Sequence, residues 1–325
     1  MIDIFFLIII LKLMTKRSQS LSHPRKVSRG RPRKVPGAGP SADQMERLRF
    51  IERAALWTGK IGRRAVAATF DISLGHVSTD FQQYSEMAPR NLSYDVREKC
   101  YCPTDVFEPI FEMEESSKIL SVVAATAVLS PKDRTRILGF DISVAAVQTL
   151  PTAIDQSLLI KICRAITAGA AVKVEYQSMS TPHPVARSFA PHALIYSGQR
   201  WLARGWDDHH KEFRDLALAR ILNAKMGIPV SDLPRDDQWH DRASIKLIPQ
   251  DELSAGQKTV TAKEFGMRKR NDGIYEVEIN PRQSMVPYIL DLYRLRPSDP
   301  SAITLPIRLQ DYSTLQQFDR RPLQR

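Results

Sequence analysis

Arg187 to Ile221 reads RSFAPHALIYSGQRWLARGWDDHHKEFRDLALARI. Strand-forming runs alternate here with short turns, and Asp-Asp-His-His-Lys-Glu between two such runs reads as a polar hairpin turn. Where a soluble domain would alternate core with neutral surface, these strands carry Arg187, His192, Arg204, Arg214 and Arg220 beside Trp201 and Trp206. Ser178 and Ser180 stand just upstream in Gln-Ser-Met-Ser. Guanidinium, imidazole and hydroxyl donors next to aromatic rings suit a ligand with phosphate and base, such as a nucleotide or single-stranded nucleic acid. Asp207, Asp208, Glu212 and Asp215 lie within the same run, so charge pairing must engage some of these arginines. A helix over 154–168 ahead of about five short antiparallel strands predicts a small β-barrel.

Upstream, helical periodicity over Met45 to Trp57 places Leu48, Ile51 and Ala55 on one face. A second short helix spans Arg63 to Phe70, and Ser73 is placed to cap a third. That spacing is the helix-turn-helix pattern. On the third helix Leu74, Val77, Phe81, Tyr84 and Ala88 fall inward, leaving a small, polar outer face. Gln82 and Gln83 are the expected base readers, because a carboxamide can pair in both directions with adenine. Ser73, His76, Ser78 and Thr79 are placed to reach bases or phosphates. Two strand-like runs at Leu92 to Tyr94 and Cys100 to Cys102 read as a wing, with Arg97 and Lys99 near its tip. Arg63 and Arg64 join them where phosphates would flank a docked helix.

The chain has 325 residues and a formal net charge of +11, enough length for two or three domains and a balance that favours polyanionic partners. Much of the charge lies between Lys16 and Lys34, read as a disordered basic arm. Within it, Ser-Arg-Gly-Arg-Pro-Arg-Lys resembles an AT-hook, whose Arg29, Arg31 and Arg33 suit a narrow minor groove. Met1 to Leu13 is apolar but shorter than a membrane span and lacks the flanks of a secretory signal, so Met14 is expected to open the natural protein and no membrane partner is expected. Cys100, Cys102 and Cys163 are too few for a disulfide framework and lack metal-site spacing, so neither metal nor cofactor is expected.

Four segments together carry a resemblance: Gln-Ser-Met-Ser at 177–180, Ala-Pro-His-Ala-Leu at 190–194, Arg-Trp-Leu-Ala-Arg-Gly-Trp at 200–206 and Phe-Arg-Asp-Leu-Ala-Leu-Ala-Arg-Ile at 213–221. They resemble the WYL domain, an Sm-like β-barrel of bacterial transcription regulators. With Met-Glu-Arg-Leu-Arg-Phe-Ile-Glu at 45–52 in front, and Asp-Gln-Trp-His at 237–240 and Glu-Phe-Gly-Met at 264–267 behind, the chain is similar over about Ser41 to Arg296 to phage-defence repressors of the CapW and BrxR type. The resemblance implies a cytoplasmic, nucleoid-associated homodimer that binds an inverted repeat in double-stranded DNA and releases it when an effector occupies the barrel. Carried onto this chain, the effector pocket would be Ser178, Ser180, Arg187, His192, Trp201, Arg204, Arg214 and Arg220. One departure touches ligand identity: the triplet that names the domain stands here as Trp201, Leu202 and Ala203.

The expected class is multidomain α+β. A basic arm over 1–40 precedes a winged helix-turn-helix over 41–107 and a helical linker over 108–153. The WYL domain follows over 154–228, then a small α+β dimerisation domain over 236–298 and a poorly ordered tail over 299–325. An activator of DNA-damage genes built from the same parts is not separated from a repressor by sequence. An RNA-binding role for the barrel, and a nucleotide-acting enzyme using His192, His209 or His210 with Asp207 or Asp208, are the alternatives from other classes. No Gly-rich phosphate loop or metal spacing supports the enzyme, and none is expected.

Overall fold

The structure, a computed structural model, describes residues 39–112, 115–147, 150, 152–296 and 305–319. The chain divides into two units, Met1–Val147 and Gln148–Arg325.

In the first unit α1 (Ala42–Thr58), α2 (Arg63–Phe70) and α3 (Leu74–Met87) form the three-helix pattern read from the periodicity. Ser41 and Ser73 cap α1 and α3, each accepting a backbone N–H three residues on at 3.3 Å, which satisfies a donor that the first turn leaves unpaired. Leu48, Phe50, Ile51, Val66, Val77, Phe81 and Tyr84 fill the core. Leu74, expected inward, is 49 % exposed: it opens α3 at its first turn, ahead of the Val77–Phe81–Tyr84 stripe that meets the core. The wing is the antiparallel pair β1 (Leu92–Asp95) and β2 (Cys100–Pro103). Cys100 and Cys102 share a face of β2, their Sγ atoms 3.9 Å apart.

The stretch read as a helical linker holds two helices, α4 (Ser116–Thr126) and α5 (Pro131–Leu138). Ser130 caps α5, its hydroxyl accepting from the Asp133 amide at 3.2 Å, and Pro131 opens it. Phe140 stacks on Trp57 at 5.4 Å and Arg136 lies over Phe70, so the linker is packed on the helix-turn-helix.

In the second unit α6 (Gln156–Ala168) crosses an antiparallel sheet of β3 (Ala170–Tyr176), β4 (Val185–Tyr196), β5 (Trp201–Asp207), β6 (Glu212–Ala217) and β7 (Ile221–Pro229). The strand order is β6-β5-β4-β3-β7. The barrel expected from sequence is not seen closed: the 3₁₀ turn Leu218–Arg220 sends β7 to the free edge of β3, and no β6–β7 pairing closes the array among the described residues. Val172, Val174, Phe189, Ala203 and Leu216 face α6. Ile195, Leu202 and Ala217 face the other way, toward Trp239, Met285 and Tyr288.

Those three residues belong to the C-terminal part, which contains α7 (Asp237–His240), β8 (Ile245–Pro249), α8 (Ala255–Glu264), β9 (Arg268–Lys269), β10 (Tyr275–Ile279), α9 (Val286–Leu292) and β11 (Ile307–Leu309). Its sheet runs β11-β8-β10-β9. The tail read as poorly ordered is therefore corrected over 305–319: Ile307 and Leu309 are buried on β8, and Leu315 joins the same core. Three residues of strand give too little alternation to be read against a Gln- and Arg-rich background.

Candidate nucleic-acid interface and effector site

The exposed face of α3 presents His76, Thr79 and Gln82, with Gln83 and Ser78 half-buried at its flanks. Five of the expected readers, Ser73, His76, Ser78, Thr79 and Gln82, are already engaged locally, Thr79 Oγ1 donating to Gly75 O at 3.2 Å. The Arg63 guanidinium donates to Ser78 Oγ at 3.2 Å, Gln82 donates to Glu86 at 3.1 Å, and Ser73 Oγ lies 3.2 Å from His76 Nδ1. Arg64, Arg97 and Lys99 are exposed, and Lys99 takes a left-handed turn at the wing tip with φ of 54°. The hook-like Arg29, Arg31 and Arg33 lie outside the described residues.

Two buried acids hold this face in place, and sequence reasoning missed both. Asp80 on α3 accepts from Arg47 Nε at 2.6 Å and Nη2 at 3.1 Å and from Gln44 at 3.1 Å, pinning α3 to α1. Glu52 accepts from the Tyr84 hydroxyl at 2.8 Å and from the Ile110 and Phe111 amides at 2.9 and 3.0 Å, tying α1 to α3 and to the start of the linker. Burial, reinforced by Glu52, pushes the Tyr84 phenol well above its usual range. A charged residue inside an apolar helical stripe was the available signal, since a buried carboxylate needs partners.

The eight residues assigned to one pocket do not meet at one place. Alternation along β5 and β6 puts Arg214 on the α6 face with Leu216, and Arg204 on the opposite face with Leu202. The sequence pattern could not show this, because it also depends on a bulge in β4. Pro191 pairs with Gly205 and Ala193 with Arg204, so His192 is the extra residue and its side chain is turned onto the Arg204 face. Gly205 is required there: a Cβ would come within 2.3 Å of Ala190 O.

On the α6 face Arg187 is buried, its Cζ 5.1 Å from the centre of the Tyr176 ring and its Nη1 donating to Asp207 at 2.9 Å. Asp207 also lies 2.7 Å from His210 Nδ1. Arg187 Nε is buried with no hydrogen-bond partner among the described residues, a donor left over for water or ligand. Arg214 pairs with Glu212 at 2.6 Å, and the hydroxyls of Ser178 and Ser180 lie 2.7 Å apart in the loop after β3. Arg220 is half-buried, its backbone oxygen accepts from Gln177 N at 3.0 Å, and its guanidinium has no partner among the described residues. Trp201 is half exposed against Tyr196, their centroids 5.0 Å apart.

On the other face Arg204 is buried between Asp215 and Asp236, and Asp236 also meets His192. Burial pushes the Asp236 carboxyl up, but hydrogen bonds from His192 and Arg204 outweigh it and hold the group well below the usual carboxylate range. Asp236, in the connection after β7, had no motif to mark it. Among the described residues no group of three or more His, Cys, Asp or Glu is arranged to hold a metal ion, and no helix is long and apolar enough to cross a membrane.

Three family models match the chain in order: the BrxR transcriptional regulator winged helix-turn-helix domain over 43–125, the WYL domain over 157–226, and the BrxR transcriptional regulator C-terminal dimerization domain over 242–315. Among curated relatives, the DNA-binding transcriptional repressor CapW of Escherichia coli (strain KTE188) is 31 % identical over 281 residues, 84 % of this chain and 92 % of that protein. The proteins of the same name from Stenotrophomonas maltophilia and Pseudomonas aeruginosa are 32 % and 30 % identical, each over 76 % of this chain and over 82 % and 81 % of their own lengths.

Proposed function

The chain belongs to the CapW and BrxR family of WYL-domain transcriptional repressors, and on that premise we propose that it is a sequence-specific, homodimeric DNA-binding repressor of a phage-defence operon. The observation that carries the reading is the α3 face. A helix clamped from behind by Asp80 and Glu52 turns Gln82, Thr79 and His76 outward between the basic residues of α2 and of the wing. Homodimerisation rests on the match of 242–315 to a C-terminal dimerization domain. Two copies would present two recognition helices to an inverted repeat. The names of the relatives favour repression over activation.

The WYL sheet is the effector site in this reading, and it takes a nucleotide or single-stranded nucleic acid. Arg187 Nε and the Arg220 guanidinium supply donors not spent on the protein's own described carboxylates, with Ser178 and Ser180 nearby in the chain's folded course. Footprinting on the chain's own upstream DNA tests the reader: Gln82→Ala with Gln83→Ala loses the bounded footprint but keeps weak, salt-sensitive binding, and an unchanged footprint overturns the assignment. Arg220→Ala tests the sensor. It leaves operator binding intact and abolishes release by a 5′-phosphorylated tetranucleotide, whereas unchanged release removes Arg220 from the site.

A further inference from the structure

The sheet face turned toward the C-terminal part carries a guanidinium shared by two carboxylates. Arg204 Nε and Nη2 donate to Asp236 at 2.6 and 2.8 Å, and Nη1 donates to Asp215 at 3.0 Å. The bulged His192 sets Nε2 2.9 Å from Asp236, and Tyr288 of α9 donates to Asp215 at 2.7 Å. Asp236 also accepts from the Trp239 amide at 3.2 Å, capping α7, and the Trp239 ring lies edge-on to His192 with Arg282 stacked 4.3 Å from its centre. One carboxylate thus grips a cation and an imidazole on the sheet while fixing the segment that leads into the C-terminal part.

Two oxygens on the fork of an arginine and one of them on an imidazole is also how a phosphate group is held. The way in lies at the histidine: its side chain is 31 % exposed, whereas those of Arg204 and Asp236 are each 4 % exposed. The aromatic edges of Phe213 and Trp239 flank the imidazole, so an incoming phosphate would arrive between ring systems able to take a base. A salt bridge serving only to glue two layers together would not need a bulge that aims a half-exposed histidine at it.

We propose that Asp236 is a built-in competitor of the effector, a carboxylate standing where a phosphate of the effector binds. Exchange moves Arg204 and His192 from Asp236 to the phosphate, removes the cap of 237–240 and loosens the connection between the sheet and the C-terminal part. Occupancy of the sheet is thereby coupled to the part that matches a dimerization domain. The inference rests on the effector reading in taking phosphate as the incoming group, seats that phosphate on the face of the sheet opposite Arg187, and goes beyond the reading in naming what the group displaces.

The test uses the full chain, with inorganic pyrophosphate and ADP as probes in calorimetry, and hydrogen exchange read on the amides of 236–241. Saturating probe is expected to raise exchange in that segment. Asp236→Asn, which keeps the shape and an oxygen to cap α7, is expected to bind either probe about tenfold more tightly, because the competent state no longer competes with a closed one. Asp236→Glu, which keeps the charge, is expected to stay within about threefold of the parent chain. ADP tighter than pyrophosphate assigns the phosphate to a nucleotide and equal affinity to a bare phosphate, both in keeping with the exchange. Equal affinity of the parent and Asp236→Asn chains, or binding with unchanged exchange at 236–241, overturns the competitor role and leaves the effector reading standing. No binding of either probe to either chain overturns both. If Asp236→Asn does not fold, the exchange measurement on the parent chain decides alone.

Discussion

Replacing Glu52 by alanine should unfasten the DNA-reading helix and the linker together. The carboxylate is 3 % exposed and accepts three hydrogen bonds, from Tyr84 Oη at 2.8 Å, Ile110 N at 2.9 Å and Phe111 N at 3.0 Å. Alanine leaves all three donors without this acceptor, although Tyr84 Oη still receives the Asn91 amide at 3.1 Å. An unsatisfied buried donor costs roughly 1–3 kcal/mol, and the two amides are only partly buried, so about 1 kcal/mol each plus about 1–2 kcal/mol for the phenol gives about 3–4 kcal/mol. At 1.4 kcal/mol per tenfold, that is more than about a hundredfold in the local opening equilibrium. Hydrogen exchange on the full chain reads this at the Ile110 and Phe111 amides themselves. Glu52→Gln, which keeps one acceptor oxygen and the volume, should lose about half as much free energy. Protection at both amides within about threefold of the parent in Glu52→Ala would show that the linker is held by something other than Glu52.

Asp80→Asn should lower the stability of the first unit by about 3 kcal/mol, since Arg47 then keeps its charge at a closed interface, and an Arg47→Met, Asp80→Leu pair should recover part of the loss in denaturant titration. Gly205→Ala should destabilise the WYL sheet by about 3 kcal/mol through the 2.3 Å approach to Ala190 O, while Gly256→Ala, with nothing within 4 Å, should be neutral or stabilising by up to about 1 kcal/mol in the same titrations. Acid should undo the Arg204 clasp. The folded Asp236 carboxyl titrates below the unfolded value of about 3.9, so its stabilisation is complete above about pH 4 and is lost as the pH falls below it. Near-ultraviolet circular dichroism of Trp239 and Tyr288 should change in that window in the parent chain, and an Asp236→Asn chain should lack that step.

Most of the element order could be read from the chain because its signals are local. Ser41, Ser73 and Ser254 each stand one residue before a helix and accept from the amide three residues on, and apolar spacing of 3–4 fixes which sides of α1 and α3 are buried. What could not be read depends on distant partners. Arg187 and Arg204 look alike in sequence, yet one bulge at His192 and the alternation of β5 put them on opposite faces with separate buried acids. Asp80 and Asp236 carry no motif, and Glu52 ends a segment quoted only for its resemblance; each matters through partners 32 to 59 positions away, a relation that periodicity does not encode. The same limit applies to β11, whose place in the sheet depends on β8, about 60 residues earlier in the chain.

Whether the α3 face reads a particular DNA sequence is decided by a gel shift of the full chain on its own upstream DNA at physiological salt, with unrelated DNA as competitor. A discrete complex at an inverted repeat that survives the competitor is the expected result. Binding lost equally to any competing DNA would contradict it and leave only a basic nucleic-acid binder.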